Sequence, residues 1–133
     1  MRHVLIDTQI FLWMQFQSQK LPSEIRSAMS ASGFCWHLSQ VSLWEIQTKC
    51  DLGKLPLPEA PEAVLPRLVR ESGLAFVPLE NDAVFMLGKL PKIHRDPFDR
   101  LLLTTCIVRG WELATADATM ERYPVKIFRS LET

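Results

Sequence analysis

Short apolar runs alternate along this chain with stretches of helical period, and that alternation restricts the fold more than any other feature. Candidate strands lie at His3–Asp7, Phe34–Ser39, Leu74–Leu79, Glu112–Thr115 and Val125–Phe128. Helical candidates fall between and after them at 9–16, 22–31, 42–50, 61–71, 81–89, 97–109 and 118–122. Within 97–109, Phe98, Leu101, Leu102, Thr105 and Val108 keep the spacing of a helix with one buried face. Strands that are apolar throughout, interleaved with helices, predict a mainly parallel sheet covered on both faces. The expected fold class is α/β, a three-layer α/β/α sandwich around a central five-stranded sheet. With 133 residues the chain is expected to form a single domain, 1–133, around one core. The proline-rich stretch "GKLPLPEAPEAVLP" (53–66) reads as a connection leading into a helix. Pro61 suits its first position and Glu62 its first turn.

Composition excludes several classes. Hydrophobic residues make up 47% of the chain and charged residues 23%, which describes a globular protein and not a disordered one. Fifteen basic residues balance fifteen acidic ones, so net charge carries no nucleic-acid signature. A nucleic-acid partner would have to be attracted locally, or through a bound cation. The three cysteines, Cys35, Cys50 and Cys106, form no C-x-x-C and lie in apolar periodic stretches, so buried free thiols are expected. The run "HVLID" is cut by Asp7 and is neither signal peptide nor membrane span. A soluble, cytoplasmic protein without a membrane segment is the expectation.

Four acids stand out once the elements are drawn. Asp7 ends the first strand and Asp117 follows the fourth. Glu45 sits one turn into the helix after the second strand, and Asp99 lies in the first turn of the helix before the fourth. In a parallel sheet, strand C-termini and helix N-termini gather along one edge, where such folds bind ligands. Four carboxylates brought together there would repel one another unless a cation neutralised them. Oxygen ligands without His or Cys favour Mg²⁺ or Mn²⁺ over zinc. Each acid also has a plainer reading as a helix cap. Ser42-x-x-Glu45 fits a capping box, Asp96 before Pro97 fits an N-cap, and Asp99 complements the helix dipole. Capping explains each acid singly but does not require a common edge.

At these residues the chain resembles a family. "LIDTQIFLW", "SQVSLWEIQTKCDLGKLPLP" and "HRDPFDRLLLTTCIVRGWELATAD", in that order, resemble a PIN-domain ribonuclease, in particular the VapC-like toxins of type II toxin–antitoxin systems. The resemblance runs from Val4 to about Phe128. It implies that Asp7, Glu45, Asp99 and Asp117 are the catalytic acids, with Thr115 as the polar residue two before the last. It implies metal binding by Asp7, Asp99 and Asp117, with Mg²⁺ as cofactor and Mn²⁺ as a substitute. Glu45 is left as ligand, water holder or base. The implied activity is Mg²⁺-dependent hydrolysis of RNA phosphodiester bonds. The implied partners are an RNA substrate, a cognate antitoxin protein and a second copy of the chain. It also implies that the first and fourth strands lie side by side. Gln9 replaces a histidine common after the first "DT", and "TTC" at 104–106 replaces a small, alanine-rich stretch. Neither change removes an acid.

Other residues have two readings. Lys89, Lys92, His94, Arg95 and Arg100 could position phosphates or form a solvated face, and His94 reads as structural or surface and not as catalytic. Lys49, four residues after Glu45, predicts a helical ion pair. Trp13, Trp36, Trp44 and Trp111 are expected in the core. Phe11, Leu12, Trp13 and Phe16 put apolar residues on more than one side of the first helix, as a groove for a partner helix would need. The rival functions are a catalytically inactive PIN-like module that binds RNA or protein, and a phosphatase with Asp7 as nucleophile. The second rival lacks the usual aspartate two residues on, where Gln9 stands.

Overall fold

The computed structural model describes residues 1–129. Five strands form one all-parallel sheet in the order β3-β2-β1-β4-β5: β1 Arg2–Ile6, β2 Phe34–Ser39, β3 Ala75–Val77, β4 Glu112–Ala114 and β5 Lys126–Ile127. Six helices accompany them: α1 Thr8–Phe16, α2 Ser23–Met29, α3 Gln40–Asp51, α4 Pro61–Glu71, α5 Asn81–Met86 and α6 Pro97–Arg109. The expected sandwich is the observed one, and the sheet is wholly parallel.

The strands alternate strictly between two cores, as a period of two requires. Val4 and Ile6, Trp36 and Leu38, and Ala114 face a layer holding Ile10 and Phe11 of α1, Ile25 of α2, and Val64 and Leu65 of α4. Leu5 and Leu113 face the opposite layer, built on Leu101, Leu102, Leu103 and Cys106 of α6 with Met120 and Tyr123. Both faces are therefore dry, which is why the strand sequences show no polar alternation.

The expected boundaries shift by a residue or two at most ends. The segment expected as a helix at 81–89 is α5 followed by a 3₁₀ turn, Leu87–Lys89, and 118–122 is a 3₁₀ turn throughout. Strands β3 and β5 are shorter than their apolar runs, because pairing at the sheet edges covers only three and two residues. Helix α6 begins as expected, with Asp96 accepting a hydrogen bond from the Phe98 amide at 2.9 Å and Pro97 at the first position. It ends at Gly110, whose φ of 71° is left-handed backbone suited to glycine.

Two sequence expectations fail here. Ser42-x-x-Glu45 is not a capping box. Helix α3 starts three residues earlier, capped by Ser39, whose hydroxyl accepts from the Val41 amide at 3.0 Å. Trp44 is not core: it is 56% exposed and meets Phe98 edge-on, with ring centroids 5.1 Å apart. The buried stripe of α3 runs through Val41, Ser42, Glu45 and Ile46, and at about 100° per residue Trp44 falls off it. Trp36 is buried, while Trp13 and Trp111 are partly buried. All three cysteines are free; Cys106 is buried, and Cys35 and Cys50 only partly so.

Candidate metal centre at the strand C-termini

Strands β1 and β4 are neighbours, and the chain leaves them in opposite lateral directions, so the sheet's switch point lies between their C-terminal ends. Asp7 follows β1 directly, and its amide donates to the Ala114 carbonyl of β4 at 3.0 Å. Its side chain has two roles. Oδ1 accepts from the Ile10 amide at 2.7 Å, capping α1, and Oδ2 accepts from the Thr115 hydroxyl at 2.5 Å. Thr115 also accepts from the Asp117 amide at 3.0 Å, so one hydroxyl links the acids after β1 and β4. Asp117 caps its 3₁₀ turn through Oδ1, accepting from the Thr119 amide at 2.9 Å.

Helices α3 and α6 supply the other two acids. Ser42 of α3 and Thr8 of α1 hydrogen-bond through their hydroxyls at 2.8 Å, fixing α3 against α1. One turn later Glu45 is 3% exposed. Lys49 donates to its Oε2 at 2.6 Å, the expected i, i+4 ion pair. Its Oε1 is buried and has no hydrogen-bond partner among the described residues. Asp99 lies one turn into α6, and its Oδ2 is 3.1 Å from His94 Nε2. Asp7, Glu45, Asp99 and Asp117 line one cleft, with Asp96, Lys49, Leu12 and Trp13. The capping readings are thus correct for Asp7, Asp96 and Asp117, but each cap uses one carboxylate oxygen. No cap occupies Glu45 or Asp99.

His94, read from sequence as structural or surface, sits inside this cluster as a positioning group. Its Nδ1 accepts from the Asp96 amide at 3.1 Å. That assigns the ring proton to Nε2, which points between Asp99 at 3.1 Å and Asp117 at 3.0 Å. The Tyr123 hydroxyl anchors the segment, accepting from the Ile93 and His94 amides at 3.0 and 2.6 Å. The signal in "HRDPFDR" was local: a histidine two residues before an N-cap aspartate can accept that aspartate's own amide. With Nδ1 accepting and Nε2 donating, the imidazole positions two of the carboxylates and is not itself a free donor. One ligand atom each from His94, Asp99 and Asp117 lies within 4.8 Å of the others.

Electrostatics mark the cleft as strained by like charge. Burial, followed by Glu45 and Asp117, pushes Asp7 up to about 6, against the pull of Thr115 and the Ile10 amide. Burial, with Asp96, Glu45 and Asp7, pushes Asp99 up to about 7, against His94. Asp117 goes the other way. Desolvation raises it, but the Thr119 amide and His94 together hold it below the usual carboxylate range. A hard divalent cation suits this arrangement. It would relieve the repulsion and, directly or through a bound water, give Glu45 Oε1 the partner it lacks, and the donors are carboxylate oxygens.

The basic cluster separates. Lys92, His94, Arg95 and Arg100 line a shallow groove beside the cleft, whereas Lys89 lies in another with Phe85. Arg100 is engaged in structure, donating to the carbonyls of Pro91 at 2.9 Å and Leu87 at 3.3 Å. Lys92 and Arg95 are exposed. On the other side, Leu12, Phe16, Leu55 and Pro56 line a groove that shares Gln9, Leu12 and Lys49 with the acid cleft. Among the described residues no helix is long and apolar enough to cross a membrane.

A parallel α/β/α sandwich with strand order 3-2-1-4-5 and acids gathered over the β1/β4 switch point defines a PIN-type protein. Residues 4–126 match the PIN domain family model, and the chain belongs to that family. The fold is similar to that of a chain of VapBC2 from Rickettsia felis, in a structure bound to a promoter DNA fragment. That match has 18% identity and a TM-score of 0.72, and covers 94% of this chain and 96% of that one. It is also similar to a chain of DNA-bound VapBC from Salmonella typhimurium, at 21% identity and a TM-score of 0.67, covering 96% and 98%. The PIN domain endonuclease Utp24 matches at 16% identity and a TM-score of 0.51, covering 90% and 74%. No curated protein sequence matches the chain. PIN domains are typically nucleases that use a divalent metal.

Proposed function

We propose that this protein is a Mg²⁺-dependent endoribonuclease, the toxin of a type II toxin–antitoxin pair, with Asp7, Glu45, Asp99 and Asp117 as its catalytic acids. The observation that carries the reading is Glu45 Oε1, a buried carboxylate oxygen without a partner among the described residues, in a cleft shared with four aspartates. A burial of that kind costs on the order of 1–3 kcal/mol or more if nothing binds there. Asp7, Asp99 and Asp117 would hold the ion, with Mn²⁺ able to replace it. When bound, the ion supplies charge to a phosphate oxygen and activates water.

The chain's own residues do the rest. Thr115 fixes the Asp7 oxygen that faces Asp117. Lys49 occupies one oxygen of Glu45, which leaves Oε1 to hold a water or accept its proton. His94 holds Asp99 and Asp117 together through Nε2. Exposed Lys92 and Arg95, which line a groove together with His94, would meet flanking phosphates.

The partners under this reading are RNA, a cognate antitoxin and a second copy of the chain, acting in the cytoplasm. The toxin–antitoxin structures of similar fold support the antitoxin, and so does the apolar groove through Leu12 and Phe16 that opens from the cleft. The test is cleavage of end-labelled structured RNAs by antitoxin-free protein in Mg²⁺, Mn²⁺ or EDTA, beside Asp7→Asn and Asp99→Asn. Cutting that needs the metal and is abolished by both substitutions is expected. Intact RNA from folded protein in every condition would make this a PIN-like binding module instead.

A further inference from the structure

Away from the acids, three side chains of metal-ligand type converge on the same sheet. His3 of β1 stands opposite Cys35 of β2, and His37 follows two residues later. All three project to the α6 side, the side of Leu5. His3 Nδ1 lies 3.0 Å from His37 Nε2, and one donor atom from each of the three residues lies within 4.8 Å of the others. His37 is 7% exposed, Cys35 is partly buried and His3 is at the surface, so the group has a buried floor and an open entry. Trp111 stacks on both imidazoles, 3.9 Å from His37 and 5.3 Å from His3 between ring centroids, and fixes their planes. His3 precedes Asp7 by four residues, about 13 Å of strand, so this cluster is separate from the acid cleft.

We propose that His3, Cys35 and His37 form a second metal site, which takes Zn²⁺ through two imidazole nitrogens and a thiolate and keeps a fourth position open to solvent. Borderline-soft ions favour nitrogen and sulfur donors, while Mg²⁺ does not, so the two sites select different metals. Tetrahedral zinc, at about 2.0–2.1 Å from nitrogen and 2.3 Å from sulfur, places two nitrogens and a sulfur about 3.3–3.6 Å apart. The observed group brackets that spacing, with 3.0 Å between the two imidazole nitrogens and no more than 4.8 Å between any two donors. Binding releases the Cys35 thiol proton to solvent. Arg109, which acts on His37 electrostatically, is engaged elsewhere: it lies over Trp111 at 4.8 Å, with Glu80 at 3.0 Å. Helix α6 also ends here, and its negative pole favours a cation.

The test is titration of the purified full chain with Co²⁺ as a spectroscopic stand-in for Zn²⁺. The expected result is a thiolate-to-cobalt charge-transfer band that saturates at one equivalent and is displaced by Zn²⁺. The band is expected to vanish in Cys35→Ser, to weaken at least tenfold in apparent affinity in His3→Gln, and to persist in Cys50→Ser and Asp99→Asn. Circular dichroism checks that each variant folds, and His3→Gln, a surface change, guards against a Cys35→Ser that does not. Absence of the band overturns the proposal. So does a band that survives Cys35→Ser, or one that ignores His3→Gln. None of these outcomes depends on nuclease activity.

Discussion

Replacing Asp99 by asparagine separates the cost of a buried carboxylate from its use. Burial and three neighbouring acids raise Asp99 from 3.8 to about 7 in the folded protein. Because the folded-state value lies above the unfolded one, the stability this group contributes is complete below about pH 4 and is lost as pH rises through about 7. At about 1.4 kcal/mol per pH unit, a rise of about three units amounts to about 4 kcal/mol by pH 8. Asparagine removes the charge but must still be desolvated, and it weakens the 3.1 Å contact with His94, together about 1–2 kcal/mol. In EDTA at pH 8, Asp99→Asn is therefore expected to be about 2–3 kcal/mol more stable than the parent. At pH 5 only about 1.5 kcal/mol of the charge cost has developed, and the two proteins should nearly coincide. Urea unfolding followed by circular dichroism at both pH values measures the gap. Mg²⁺ should raise the parent's midpoint at pH 8 and leave the variant's nearly unchanged. A variant less stable than the parent at pH 8, or a gap independent of pH, would refute the reasoning. Asp99 would then be a satisfied carboxylate, and the like-charge argument for a cation would lose its main support.

Two further outcomes follow from the scaffold. Tyr123→Phe removes the acceptor for the Ile93 and His94 amides, so a loss of about 1–2 kcal/mol in urea unfolding is expected, together with slower RNA cleavage as His94 loosens between Asp99 and Asp117. Gly110→Ala meets no atom within 4 Å, so its cost is backbone alone, about 1–2 kcal/mol for a left-handed alanine, with cleavage unchanged.

The fold was largely legible because burial on both faces writes parallel strands as continuous apolar runs. β1 and β2 were placed to within a residue. The edge strands β3 and β5 were overestimated, since an apolar run records burial and not the length of pairing. Helix α3 was misplaced at its start because Ser39 and Ser42 are both good caps by type. Only packing showed that Ser42 faces Thr8 and Ser39 takes the Val41 amide.

The gathering of Asp7, Glu45, Asp99 and Asp117 in one cleft was legible from topology. Parallel strands send their C-termini to one edge, and each acid's position in its element could be read directly. The part of His94 was not, because it depends on where the Tyr123 hydroxyl, from a distant turn, pins the chain. The pairing of one Glu45 oxygen with Lys49 was legible from the i, i+4 spacing, but that the other stays bare was not, since it depends on what the neighbouring elements bring against it. The His3–Cys35–His37 group was equally hidden: each lies in an apolar strand, and only the register of β1 on β2 brings them together. The sequence by itself thus determined the layers, the sheet's polarity and the edge at which the acids meet, because these follow from periodicity and the directions of successive elements. Tertiary structure alone decided which atoms of those acids stay free, because that is set by side chains arriving from elements remote in sequence.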